Sequence, residues 1–293
     1  MKNFKATITA LITPFKDDKV DFASLENLIQ HQVKNGVEGF VINGTTAESP
    51  TLTEKEVEEI FKAARAMVGP KFPLIMGTGS NSTAKTEEAS EKAEALGADG
   101  VLVVVPYYNK PPQRGLVKHF TEVAKSVSIP VILYNVPGRT ITALSADSIR
   151  ELSQVQNIVG IKEASGNIEF ALEIKRKTSP EFVLLSGDDG TYVDFLKAGG
   201  HGVISVATHV IPKEMVNWKH LVANGKYEEA NADLKKHMAL INHLFVEANP
   251  IPVKMALYFM GIIKSPELRL PLVTMSEDLA QKMKQEMKSL GVI

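Results

Sequence analysis

The sequence predicts a (β/α)8 barrel followed by a C-terminal all-helical appendage, and three observations lead there. Short β-branched runs recur along the first two thirds of the chain, with helical periodicity between them. Most of these runs are apolar throughout rather than alternating, so both faces of each strand are expected to be buried, as in a parallel sheet covered by helices. Eight of them can be counted, which favours closure into a barrel over an open doubly wound sheet, and the GxGxxG turn that a dinucleotide-binding sheet needs after its first strand is absent.

In chain order the runs are ATITALIT (6–13), GFVING (39–44), PLIMGTG (73–79), GVLVVVPYY (100–108), PVILYNV (130–136), NIVGIKEA (157–164), FVLLSGDD (182–189) and GVISVAT (202–208). Lys2 and Lys5 ahead of ATITALITPF give the outline of a signal peptide. The apolar stretch is short, however, and Thr7, Thr9 and Thr13 interrupt it, so it reads as the first strand. Helix starts are marked by Thr53 with Glu56, a capping box, and by Ser145 with Asp147 in the next turn. LGADG (96–100) and the glycines before Gly202 end a helix and open the next strand. From about residue 212 the segments are helical only, including 227–248 and 276–290. The expected division is a catalytic barrel over 1–224 and a helical domain over 225–293.

Composition narrows the function. Of 293 residues 44% are hydrophobic, enough for a large core, and 33 basic against 34 acidic residues leave a formal charge of -1. Such a balance offers nothing to nucleic acid or an anionic membrane. Without cysteine there can be no disulfide, thiolate metal site or cysteine nucleophile, and the seven histidines show neither HExxH nor HxxxH spacing, so no metal is expected. No apolar run approaches the roughly 20 residues of a membrane-spanning helix. A cytoplasmic protein is expected.

The chemistry begins with Lys162, the only lysine or arginine inside these runs. Burial disfavours the charged form of an amine and leaves a nucleophile able to condense with a ketone. The competing reading is a buried lysine paired with a carboxylate. In a barrel the C-terminal strand ends share one face, which gathers residues distant in sequence. Those ends carry Thr45 and Thr46; Tyr107 and Tyr108; Tyr134 with Arg139 beyond it; Lys162; and Gly187 with Asp188 and Asp189. Each has a plain alternative: a tyrosine anchoring the barrel mouth, threonines satisfying a turn, an arginine in a surface ion pair. Two carboxylates in the seventh loop would repel phosphate where many barrels bind it, which disfavours a phosphorylated substrate.

The motifs GTTAES (44–49), PYYNKP (106–111), YNVPGRT (134–140), GIKEASGN (160–167), LLSGDD (184–189), GGHGVISV (199–206), NPIPVK (249–254) and RLPL (269–272) together resemble the dihydrodipicolinate (4-hydroxy-tetrahydrodipicolinate) synthase family over essentially the whole chain. The resemblance implies a lyase condensing pyruvate with L-aspartate 4-semialdehyde in the diaminopimelate route to lysine, with no cofactor. It implies a Schiff base on Lys162 and a proton relay of Tyr134, Thr46 and Tyr108, the last reaching into the neighbouring protomer's site. Thr45 and Thr46 match the pyruvate carboxylate binders and Arg139 the residue that orients the semialdehyde, while Gly187 and the Ile204 carbonyl would line the pocket. The family is usually a homotetramer, a dimer of dimers.

Departures exist. Family members often have glycine where this chain has Ala47 and Ile141. Lysine-sensitive relatives carry histidine at Glu54 and glutamate at Lys85, in a cleft that includes positions matching Ser49, Asn81 and Tyr107. A like charge at Lys85 would face the effector's amines, so weak or absent inhibition by L-lysine is expected. Two other readings stay open: a different pyruvate-dependent lyase, such as N-acetylneuraminate lyase or a 2-keto-3-deoxy sugar acid aldolase, and a silent paralogue that binds keto acids. Arg139 speaks against the first, the full set of reactive residues against the second.

Overall fold

The computed structural model describes residues 2–293. Among these residues ten strands form, and eight of them close a barrel. In chain order they are β1 (Thr7–Ala10), β2 (Phe15–Lys16), β3 (Lys19–Val20), β4 (Gly39–Ile42), β5 (Leu74–Gly77), β6 (Gly100–Val104), β7 (Val131–Asn135), β8 (Ile158–Glu163), β9 (Val183–Ser186) and β10 (Gly202–Ser205). The barrel order is β1-β10-β9-β8-β7-β6-β5-β4, while β2 and β3 pair as a separate antiparallel hairpin. All eight runs read from the sequence supply a barrel strand, and the residues of β1, β4, β7 and β9 are buried throughout, as the continuous apolar runs require.

By contacts the chain falls into two units. One holds the residues up to Ala6 with Pro73–Ile204, the other Thr7–Phe72 with Ser205–Ile293. In the first, β5 to β9 pair in parallel with their sequence neighbours, and β7 shifts register against β8 between Val131 and Ile132. Gly160 lies beside this shift. A methyl there would meet the Val183 carbonyl oxygen at 2.4 Å, so only glycine lets the two backbones approach. In the second, β1 pairs in parallel with β4. The helix Pro212–Ala223 packs on β1 and on the helix Tyr227–His243, and Glu277–Ser289 packs on Ile251–Phe259.

The capping signals act as expected. Thr53 and Glu56 form a full capping box at the start of Glu54–Val68, and the Ser145 hydroxyl accepts from Ser148 N to open Ala146–Leu152. Among the described residues no helix is long and apolar enough to cross a membrane, and no cluster of His, Asp and Glu could hold a metal ion.

Candidate active site

In the first unit the ends of β7, β8 and β9 build one constellation. Register pairs Tyr134 with Lys162 and Asn135 with Glu163. Side chains alternate along a strand, so Tyr134 and Lys162 share one face and Asn135 and Glu163 the other. Lys162 is 7% exposed, and its Nζ lies 4.3 Å from the centroid of the Tyr134 ring. Among the described residues no carboxylate forms an ion pair with it. This removes the paired-lysine reading. The stem of Lys162 runs against the turn after β9, where a methyl on Gly187 would sit 2.5 Å from Ala164 Cβ and 2.8 Å from Lys162 Cε. Gly187 is therefore the room the lysine occupies.

The opposite face is a brace. Asn135 Nδ2 donates to Glu163 Oε2 at 2.7 Å, Ser165 N donates to Glu163 Oε1 at 2.6 Å, and Leu144 N donates to Asn135 Oδ1 at 3.0 Å. Burial pushes the Glu163 carboxyl up, against these hydrogen bonds, which pull it down. The Leu144 bond closes the loop that carries Arg139, an exposed residue on the one-turn helix Pro137–Thr140. Ile141 caps that turn at φ 63, a backbone region a β-branched residue enters at a cost of about 1–3 kcal/mol. The glycine that the resemblance leads one to expect here is the residue this backbone region physically favours. Ile204 is buried in β10. Asp188 accepts from Thr191 N and Oγ1 at 3.0 and 2.7 Å, just ahead of the helix Tyr192–Lys197.

Beyond β6, Tyr107 is exposed and Tyr108 is 88% exposed with φ 72. Asn109 Nδ2 donates to the Asn81 carbonyl at 2.8 Å, tying this loop to the start of the helix Thr83–Ala95, on which Lys85 is exposed.

In the second unit Thr45–Ala47 form a 3-10 turn beyond β4. Thr46 is 3% exposed, and its Oγ1 accepts from Asn249 Nδ2 at 2.9 Å. Ala47 O accepts from Thr13 Oγ1 at 2.9 Å. Glu48, left-handed at φ 59, pairs with the fully buried Lys254 and accepts from Arg269 N at 3.0 Å. Lys254 also donates to the Glu267 carbonyl at 2.9 Å and lies 4.1 Å from the Phe15 ring centroid. Burial pulls its ammonium down to about 8 while Glu48 pulls it the other way. Ser49 opens the next short turn, and Glu54 is exposed at the first position of Glu54–Val68.

Sequence reading finds Lys162, Tyr134 and Gly187, which the first unit brings together, but assigns no role to Asn135, Glu163, Glu48, Asn249 or Lys254. The signal for the last was available: Lys254 is the one charged residue in the helix IPVKMALYF, as Lys162 is the one cation in its strand.

A parallel barrel with a desolvated, unpaired lysine beside a tyrosine is the equipment of an imine-forming lyase. The family model of the dihydrodipicolinate synthetase family matches residues 3–290. The chain is 62% identical to a 4-hydroxy-tetrahydrodipicolinate synthase of Bdellovibrio bacteriovorus over the full length of both. Its fold is similar to the dihydrodipicolinate synthase of Thermotoga maritima, with a TM-score of 0.97, 41% identity and 99% of each chain covered. It is also similar to that of Cyanidioschyzon merolae solved with lysine bound, with a TM-score of 0.94, 43% identity and 98% of each chain covered. The chain belongs to the dihydrodipicolinate synthetase family.

Proposed function

We propose that this chain condenses pyruvate with L-aspartate 4-semialdehyde to 4-hydroxy-tetrahydrodipicolinate, the first committed step of diaminopimelate and lysine biosynthesis. The observation that carries the reading is the Lys162 amine, buried, without a carboxylate, and set beside the Tyr134 ring. The amine adds to the pyruvate carbonyl, water leaves, and an iminium forms. Loss of a methyl proton places that C–H electron pair in the enamine double bond and neutralises the nitrogen, after which the enamine carbon attacks the aldehyde. Closure of the acceptor's amine onto the imine carbon expels Lys162 and releases the ring.

Tyr134, Thr46 and Tyr108 carry the protons. Thr45 and Thr46 hold the pyruvate carboxylate, Arg139 orients the semialdehyde, and Gly187 and the Ile204 carbonyl line the pocket. The chain requires no added cofactor, acts in the cytoplasm, and works as a tetramer of two dimers. Its barrel over 1–224 carries the reaction and 225–293 form the appendage. Tyr108 supports assembly, since an aromatic ring 88% exposed on a left-handed backbone gains nothing in a lone protomer.

Borohydride reduction with pyruvate, followed by peptide mass spectrometry, should leave an adduct on Lys162. An unmodified lysine refutes the reading. Parallel assays with sialic acid and 2-keto-3-deoxygluconate should show turnover of neither.

A further inference from the structure

Two side chains on the reverse face of β7 and β8 are joined in an order that their neighbours dictate. At one end Ser165 N donates to Glu163 Oε1 at 2.6 Å, and at the other Leu144 N donates to Asn135 Oδ1 at 3.0 Å. Between them Asn135 Nδ2 donates to Glu163 Oε2 at 2.7 Å. Both ends are backbone N–H groups, which only donate. The run therefore closes with a carboxylate, which accepts twice, next to an amide, which turns its NH2 to the carboxylate and its oxygen to the far N–H. Glu163, Asn135 and Leu144 are all buried, so water does not repair a mismatch.

The run matters for what it joins. Ser165 lies in the turn directly after β8, the strand that carries Lys162. Leu144 closes the loop that carries Arg139, and its neighbours are anchored as well. Gln113, the first residue of the helix Gln113–Ser126, donates from Nε2 to Ala143 O at 2.7 Å and accepts from Ser145 N on Oε1 at 2.9 Å. Side-chain amides thus hold three consecutive residues, 143 to 145. The one-turn helix with Arg139 is suspended between β7 and this anchor, and the run of hydrogen bonds ties the anchor to the turn behind the amine.

We propose that Glu163 and Asn135 are positioning residues that set the Arg139 loop relative to Lys162, and so govern recognition of the second substrate, a carboxylate-bearing aldehyde, rather than capture of the first. This rests on the roles given to Lys162 and Arg139 above. Neither residue meets the reacting atoms; both act through the loop.

The test uses the order of donors and acceptors. Glu163→Gln keeps the shape, but its one oxygen is claimed by Ser165 N, so its NH2 meets the NH2 of Asn135, or, if Asn135 turns over, that NH2 meets Leu144 N. Adding Asn135→Asp moves the carboxylate across the pair. The new amide at 163 then accepts from Ser165 N and donates to the new carboxylate at 135, which also accepts from Leu144 N, and all three hydrogen bonds return. Steady-state kinetics with L-aspartate 4-semialdehyde and borohydride trapping of pyruvate on Lys162 are read for the parent, Glu163→Gln, the double variant and Arg139→Ala. We expect kcat/KM for the semialdehyde to fall about 10²-fold in Glu163→Gln, the scale of a group misplaced by about an ångström, and to return to within about threefold of the parent in the double variant, with trapping retained in both. A single variant within about threefold of the parent, a double variant no better than the single, or trapping that falls in step with condensation each overturns the proposal. If Glu163→Gln does not fold, Asn135→Ala decides, because it releases Leu144 without opposing two donors: a fall in kcat/KM with trapping retained upholds the proposal, and a parental value overturns it. A parent that leaves no adduct on Lys162, or an Arg139→Ala variant with parental kcat/KM, overturns the underlying reading and this proposal with it. A loss in Arg139→Ala beside a parental value in Glu163→Gln overturns this proposal alone.

Discussion

Lys162 and Tyr134 are register partners on adjacent strands, and the amine of one rests 4.3 Å above the ring of the other. The lysine reaches that position because Gly187 leaves space for its stem, so the approach can be blocked from behind. Gly187→Ala should move Lys162 by forcing its Cε away from a methyl 2.8 Å distant. We expect kcat/KM to fall about 10²-fold, the scale of a misplaced reacting group, with the chain still folded. Activity within threefold of the parent, at roughly equal thermal stability, would show that the contact does not position the amine.

Removing one partner of the buried Lys254–Glu48 pair leaves an uncompensated charge. Lys254→Met should destabilise the protein by about 3–5 kcal/mol, and combining it with Glu48→Gln should recover part of that loss. Denaturant unfolding of the two singles and the double checks this; strictly additive losses would mean that the pair is not coupled.

Acid should weaken the fold before it titrates the carboxylates. Burial holds His119 and His209 at about 4, below the usual 6.5, and lowers His31 and His201 as well. His209 is kept neutral by geometry too, its Nε2 accepting from Ile12 N at 3.2 Å and its Nδ1 facing the Val206 carbonyl at 2.9 Å. The unfolded chain takes up these protons first, so the stability they lend is complete above 6.5 and is lost as pH falls toward 4. Glu56, held at about 2 by Arg269, adds a loss only below 4.5. The Tm should therefore drop between pH 6.5 and 4.5; a flat profile across that window contradicts it.

Tyr108 offers a test of assembly. If it completes the neighbouring site, mixing and refolding Tyr108→Phe with Lys162→Ala should regain activity that neither has alone, since one site in the hybrid then holds both native residues. Mixtures no more active than the parents would place Tyr108 outside the relay.

L-lysine should inhibit weakly or not at all. Lys85 is exposed on its helix and Glu54 at the start of its own, so the expected effector cleft would carry a positive charge at Lys85 that repels the amines of L-lysine. Half-maximal inhibition at sub-millimolar L-lysine would contradict this.

The barrel is legible in the sequence because parallel strands buried on both faces must be apolar throughout, and few other elements are. Boundaries are less so. The run GVLVVVPYY continues to Tyr108, but β6 ends at Val104, because the residues beyond stay apolar after leaving the sheet. The hairpin Phe15–Lys16 with Lys19–Val20 is too short to show periodicity. Lys162 announces itself as a cation in an apolar strand, and Gly187 through its motif. The Asn249–Thr46 contact stays hidden because a hydrogen bond between residues 203 positions apart leaves no local trace.

Alternate residues of β7 and β8 differ in kind: one face carries the Lys162 amine beside Tyr134, its reverse the Asn135–Glu163 hydrogen bond. A slip of one position in either strand would exchange amine for carboxylate and reagent for scaffold together. By the same token, an engineer seeking a new aldehyde acceptor can redraw the reactive side while leaving Asn135 and Glu163 untouched, and the backbone will keep its shape.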